Sequence, residues 1–124
     1  MLKNEELKPL TLAFIGDAVQ TLYVRNHFSM QGDYKVNELT RMVKEKVNAG
    51  AQCRFFKSIE DILTEVETDV ARRARNAVKG QGAKNYSVFE YNHATALEAL
   101  FGYLYVTNQT ERLNQLLEMS LREV

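Results

Sequence analysis

The chain has 124 residues, 14.3 kDa and a 45% apolar fraction, which fits one globular domain spanning residues 1–124. Sixteen basic residues balance sixteen acidic residues, so net charge indicates neither disorder nor a purely electrostatic partner. The single cysteine, Cys53, excludes an intramolecular disulfide and a cysteine-based zinc site. Charges interrupt the N-terminal segment, and no apolar run reaches the ~18 residues of a membrane span. We therefore expect a cytoplasmic protein.

The apolar periodicity is helical wherever it is strong, and it predicts an all-α fold. In chain order, we expect a helix from Pro9 to about residue 27 or 28, a long helix over 35–56 and a short helical turn over 59–63. Thr64 or Thr68 is expected to cap a helix that ends near Val78. A glycine-containing loop over 80–90 follows, and the last two helices are expected over about 91–107 and 110–122.

Two of the predicted helices are apolar on nearly every face, which is typical of buried helices. Asp17 is the only charge between residues 10 and 18, and Glu98 is the only charge between residues 94 and 106. A buried, unpaired carboxylate is costly, so each acid needs a base, a set of N–H donors or a metal ion. Gly16 and Gly102 stand close to the two acids and would allow another element to approach closely.

Other interpretations of the two acids remain open at this point. Asp17 would also serve as the N-cap of a helix that starts after Gly16, with Gln20 completing a capping box. Glu98 would also pair with one of the arginines over 72–75. A shared acidic site would suit a hard divalent cation such as Mg²⁺, which prefers oxygen ligands.

Basic residues are concentrated in one segment that follows an acidic stretch. The segment also carries amide side chains and glycines, and its candidate residues are Arg72, Arg73, Arg75, Asn76, Lys79, Lys84 and Asn85. A solvated helix face is the ordinary fate of such a charge run. Arginine, lysine and asparagine beside a glycine loop are also suited to contacts with a phosphate backbone. The segment is therefore a candidate nucleic-acid surface.

The motifs together resemble one family. Phe14-Ile-Gly-Asp-Ala-Val is similar to the signature helix of ribonuclease III, and Leu97-Glu-Ala-Leu-Phe-Gly is similar to its second acidic helix. Arg72-Arg-Ala-Arg-Asn-Ala and Ala94-Thr-Ala-Leu-Glu-Ala-Leu-Phe-Gly-Tyr-Leu-Tyr resemble the Mini-III branch, whose members have a catalytic domain and no double-stranded-RNA-binding domain. The resemblance covers nearly the whole chain, and it implies the ribonuclease III-like all-α fold.

The resemblance also implies an activity. It makes Asp17 and Glu98 the catalytic, metal-binding carboxylates, and it places the basic segment on or beside the RNA-contacting elements. Phe14 takes the position of an aromatic residue that packs into the partner subunit. The family implies a homodimer that uses Mg²⁺ to cleave double-stranded RNA, and the branch implies maturation of large-subunit (23S) ribosomal RNA.

The chain departs from the ribonuclease III pattern at two acidic positions, where it has Ala13 and Thr95. Two of four acidic metal-site positions therefore match, so waters, Thr95 or RNA phosphates would have to supply the other ligands. The departures favour an alternative: a catalytically inactive RNA-binding or ribosome-associated protein on the same fold. The two lone acids favour an endoribonuclease, because a binding protein has no evident need for them.

Overall fold

The computed structural model describes residues 1–78 and 85–122, and in these ranges the chain is helical with no strand. Six α-helices and two short 3-10 helices follow one another in the chain. The α-helices are α1 (Pro9–Ser29), α2 (Val36–Lys46), α3 (Ala49–Ile59), α4 (Glu65–Ala77), α5 (Val88–Val106) and α6 (Thr110–Arg122). The 3-10 helices are Asn4–Glu6 and Glu60–Ile62. The prediction of an all-α fold is confirmed.

Helix α5 is the centre of the fold. It contacts α1, α3, α4 and α6, and most of its residues from His93 to Leu104 are buried. Leu97, Leu100, Phe101 and Leu104 have no measurable exposure and form the main core with residues of α3 and α6. A helix that is apolar all round is buried on all sides, as the sequence pattern indicates for α5.

Several helix boundaries follow from their caps. Thr64 accepts a hydrogen bond from the Glu67 backbone N–H, and the Glu67 side chain accepts one from the Thr64 N–H, so Thr64 is the cap. Ser87 and Glu90 form the same motif at the start of α5. Because that second capping box was not anticipated, the predicted start of this helix near residue 91 is three residues late.

The predicted long helix over 35–56 is wrong, because the chain breaks into α2 and α3 at residues 47 and 48. The backbone of Asn48 is extended, with φ −149° and ψ 159°. Its side-chain oxygen accepts a hydrogen bond of 2.9 Å from the Ala51 backbone N–H. Asparagine competes with helical hydrogen bonding in this way, and it is among the preferred N-cap residues. The break lets α3 turn and pack its own apolar face against α5.

An ion pair between the buried Glu67 and the partly exposed Arg112 connects α4 to α6. Arg112 donates hydrogen bonds of 3.0 Å and 2.9 Å to the two carboxylate oxygens of Glu67. It also donates a hydrogen bond to the Ile62 carbonyl. Bidentate arginine–carboxylate pairs are directional as well as strong, so this pair fixes how α6 lies against the start of α4.

Helices α1 and α5 cross in close contact at two glycines, each of which faces the backbone of the opposite helix. A Cβ atom built on Gly16 would lie 1.6 Å from the Glu98 carbonyl oxygen. A Cβ atom built on Gly102 would lie 1.9 Å from the Leu12 carbonyl oxygen. No side chain fits at these distances, so the close approach expected from the two glycines is confirmed.

We predict that Gly102→Ala destabilises the fold by more than about 3 kcal/mol, because the added methyl group meets backbone atoms that cannot move aside. Urea denaturation measures the effect. Gly32→Ala is the matched control, since its Cβ would meet only the side chain of Tyr34, at 3.2 Å. Unfolding midpoints that are equal for the two variants would contradict this description of the crossing.

Candidate active site

The crossing of α1 and α5 brings the two predicted acids together. Asp17 follows Gly16 on α1, and Gly16 lies against the backbone of Glu98 on α5. The two carboxyl groups are close enough to share a hydrogen bond. The fold thus brings together two acids that are 81 positions apart in the sequence, and their role as catalytic, metal-binding residues stays a prediction.

The expected burial of the pair is wrong for one member. Asp17 is exposed, whereas Glu98 is largely enclosed. The sequence pattern wrongly indicated that Asp17 is buried, because one apolar face of α1 is exposed. Leu10, Phe14 and Leu22 lie on that face. Asp17 thus forms the solvent side of the site, and Glu98 forms its inner wall.

The two structural alternatives for these acids do not hold. Asp17 lies inside α1, whose first residue is Pro9, so it is not an N-cap. The groups that interact with the Glu98 carboxyl are Asp17 and Gln52, and no arginine of α4 pairs with it among the described residues.

The environment of Glu98 raises its pKa to about 8, from an ordinary value of 4.5. Burial is the largest cause, and the charge and hydrogen bond of Asp17 come next, while the hydrogen bond from Gln52 acts in the opposite direction. Because folding raises this pKa, the folded state keeps a proton on Glu98 at pH values where the unfolded state has lost it. The stability contributed by protonated Glu98 is therefore complete below about pH 4.5 and is lost as the pH rises towards 8.

This donor set suits a divalent cation, because two carboxylates that repel each other in a partly closed site are stabilised by a positive charge between them. Residues 1–78 and 85–122 contain no group of three or more histidine, cysteine or acidic side chains that could hold a metal ion. Ala13 has no ligand atom. Thr95 is buried, and its hydroxyl donates a hydrogen bond of 2.8 Å to the Tyr91 carbonyl. The protein part of the site is thus a pair of carboxylates.

Two glutamines beside the acids were missed as site residues in the sequence analysis. Gln20 and Gln52 are 2% and 5% exposed, and they hydrogen-bond to each other at 2.8 Å. The available signal for Gln20 was its position one helical turn after Asp17 on the same face. For Gln52 it was an amide next to Cys53 on the apolar face of α3, where an aliphatic residue would be expected.

The candidate RNA-contacting residues lie mostly on the second half of α4. Arg73 and Asn76 are exposed, whereas Arg75 is half-buried and lines a small cavity with Phe56. Arg72 forms an ion pair with Asp69. Lys79 and Lys84 lie outside the described residues.

Asn85 begins the segment that leads into α5. Its φ of 75° lies in the left-handed region, which asparagine adopts more readily than most residues, and it is exposed. Its backbone therefore turns the chain just before the Ser87 cap of α5.

The candidate interface residue Phe14 is 79% exposed on α1. Leu10 and Leu22 stand four residues before it and eight residues after it, so the three side chains share one face of the helix. Leu22 also lines an apolar groove of about 470 Å³ with Tyr105 and Leu113. Exposed apolar side chains that are grouped on one face mark candidate interaction sites.

None of the helices in the described part of the chain has the length and apolar character that crossing a membrane requires.

Comparisons with known proteins identify the family. The family description "Ribonuclease III domain" matches residues 10–109. A Mini-ribonuclease 3 of Thermoanaerobacter sp. is 43% identical over 95% of this chain and 83% of its own length. The Mini-ribonuclease 3 of Symbiobacterium thermophilum is 45% identical over 90% of this chain and 86% of its own.

A solved structure agrees with these relatives. The crystal structure of a Fusobacterium nucleatum protein superposes with a TM-score of 0.85 and 33% identity, covering 93% of this chain and 92% of that one. The match of fold, sequence and family description confirms the resemblance seen in the motifs. The chain belongs to the ribonuclease III family and, within it, to the Mini-ribonuclease III group of endoribonucleases.

Proposed function

We propose that this endoribonuclease cleaves double-stranded RNA as a homodimer that uses Mg²⁺, with Asp17 and Glu98 as the metal-binding catalytic residues. The observation that carries the proposal is the pair of carboxylates at the α1–α5 crossing, where like charge and burial raise the pKa of Glu98. Ribonuclease III enzymes generally use a divalent metal and act on double-stranded RNA, which agrees with this donor set.

In this proposal each acid has a distinct part. The ion, when bound, supplies charge neutralisation and lowers the pKa of a bound water. Glu98 is largely enclosed by the protein, and Asp17 lies on the solvent-exposed side of the site, where RNA would bind. Two protein carboxylates leave room for waters and phosphate oxygens, which Mg²⁺ commonly keeps in its coordination shell.

The relatives also support a cellular role. Their Mini-ribonuclease 3 names place the chain in the branch that the sequence resemblance connects with maturation of large-subunit ribosomal RNA, and that role would place the protein in the cytoplasm. The alternative of an inactive binding protein has less support, because the curated relatives are named as ribonucleases and the acid pair is intact.

Asp17→Asn and Glu98→Gln should each lower cleavage of duplex RNA by at least about a hundredfold while leaving the protein folded, since both substitutions remove ligand charge and keep volume. The double variant should be little slower than the worse single variant, because both residues act on one step. End-labelled duplex RNA with a Mg²⁺ series measures the loss, and circular dichroism checks the fold. Near-normal turnover of either single variant at saturating Mg²⁺ would remove that residue from the metal site.

The homodimer is supported by the exposed apolar face of α1. A second copy would cover Phe14 and its neighbours by symmetry, so each side chain would contribute twice to one interface. This also accounts for the composition of α1, which is apolar on the side that contacts α5 and on the opposite side as well.

Phe14→Ala should weaken dimerisation by about thirtyfold or more, which corresponds to the ~2 kcal/mol of an aromatic interface hot spot. Sedimentation velocity over a concentration series measures the dissociation constant, and activity should fall most at low enzyme concentration. Phe89→Ala on α5 is the control, because Phe89 is a second exposed phenylalanine, at 54% compared with 79% for Phe14. A monomeric native protein, or an unchanged dimer in the Phe14 variant, would overturn this role.

The RNA surface is proposed to include Arg73, Arg75 and Asn76 on α4 and Asn85 before α5, with Lys79 and Lys84 between them. Since the chain has no net charge, attraction to a polyanion must come from a local surface of this kind. Arg73 is the most suitable test residue, because it is exposed, whereas Arg72 is paired with Asp69.

Arg73→Gln in an Asp17→Asn background should weaken duplex binding and reduce the salt dependence of the binding constant by about one unit, the effect of losing one phosphate contact. Fluorescence anisotropy over a salt series gives the slope. Arg122→Gln on α6, which removes an exposed arginine paired with Glu118, should leave the slope unchanged. Equal slopes for Arg73→Gln and its parent would place the RNA surface elsewhere.

A further inference from the structure

Gln52 connects three helices directly behind the acid pair. Its side-chain Nε2 donates a hydrogen bond of 2.8 Å to Gln20 Oε1 on α1 and one of 3.5 Å to Glu98 Oε2 on α5. Gln52 itself lies on α3. The Gln52 amide is therefore anchored by a short hydrogen bond to Gln20, and the same amide reaches the Glu98 carboxylate.

If packing alone determined the residue at position 52, an apolar side chain would be expected there. The residues that follow Gln52 along α3 include Cys53, Phe55 and Phe56, which are buried and belong to the core side of the helix. Burying an amide costs free energy unless its polar atoms are paired, and a methionine of similar size would avoid this cost. A methionine could make neither the hydrogen bond to Gln20 nor the one that reaches the Glu98 carboxylate.

The contact also limits how the carboxylate can turn. A glutamate side chain rotates freely about its last bond, and a fixed donor at one oxygen selects one orientation. Gln52 is buried and contacts Oε2 of Glu98, and Asp17 lies close to the same carboxyl group, so the lone pairs that Gln52 does not occupy remain for a cation. In metal sites, partners of this kind orient the ligand and tune its affinity.

We propose that Gln52 is a positioning residue that holds the Glu98 carboxylate in the orientation needed to bind a divalent ion together with Asp17. This role rests on the proposed metal site. This role is important because the chain has Ala13 and Thr95 at two positions where ribonuclease III has acids. With only two carboxylates, the orientation of each has a larger effect on the affinity of the site for a cation. Gln20 supports the arrangement by anchoring the amide.

The test is Gln52→Met, which keeps the side chain's volume and removes the donor. We expect calorimetric titration with Mn²⁺, without RNA, to show about tenfold weaker binding, the lower end of the range for such partners. In cleavage assays kcat should fall at limiting Mg²⁺ and recover when Mg²⁺ is raised, while KM for the duplex stays unchanged. Gln52→Asn, which withdraws the amide by one methylene, should show the same loss.

Ser120→Ala is the matched control. Ser120 is buried and lines the same polar cavity of about 230 Å³ as Gln20 and Gln52, but its hydroxyl donates to the Leu117 carbonyl. This variant should bind Mn²⁺ as the native protein does. Native Mn²⁺ affinity in both Gln52→Met and Gln52→Asn, or an equal loss in Ser120→Ala, would overturn the positioning role.

The same titrations separate this inference from the proposed function. If Asp17→Asn and Glu98→Gln lose Mn²⁺ binding while the Gln52 variants keep it, the metal site stands and the role of Gln52 is wrong. If the two carboxylate variants bind Mn²⁺ as tightly as the native protein, the metal site itself is wrong and the role of Gln52 falls with it.

Discussion

The contact between α1 and α5 at Gly16 and Gly102 is the constraint on which the rest of the structure depends. Each glycine admits the backbone of the opposite helix at a distance that no side chain would allow. This close crossing places Asp17 beside Glu98, and it puts α5 at the centre of a core that α3, α4 and α6 complete. The packing that holds the fold together therefore also assembles the acid pair.

The same crossing places two carboxylates close together, and this arrangement costs free energy while both are negatively charged. Burial and the neighbouring charge of Asp17 both oppose ionisation of Glu98, and the hydrogen bond from Gln52 offsets only part of that opposition. In the proposed metal site, a proton or a divalent ion would relieve the repulsion, and the two would compete for the same oxygens, so metal binding should release protons near neutral pH. The electrostatic cost of the pair in the metal-free protein would then become part of the affinity for a cation.

The sequence predicted the fold class, because helical periodicity was sufficient for an all-α chain. The lone acids and the two glycines indicated a shared acidic site only as one of several interpretations, and the resemblance to ribonuclease III selected it. The break before Asn48 was missed because a capping side chain competes with an otherwise continuous helical pattern. The exposure of Asp17 was missed because an exposed apolar face looks the same in sequence as one that is buried. The glutamine pair was missed because it depends on tertiary contacts between α1 and α3.

The most direct measurement of the central claim is an NMR titration of the Glu98 side-chain carboxyl carbon in metal-free protein, for the native chain and for Asp17→Asn. We expect an apparent pKa of about 8 for Glu98 in the native protein. In the variant we expect a clearly lower pKa, which stays above 4.5 because burial remains when the charge is removed. A native pKa near 4.5, or the same pKa in both proteins, would contradict the claim that the α1–α5 crossing forces the two carboxylates into one site.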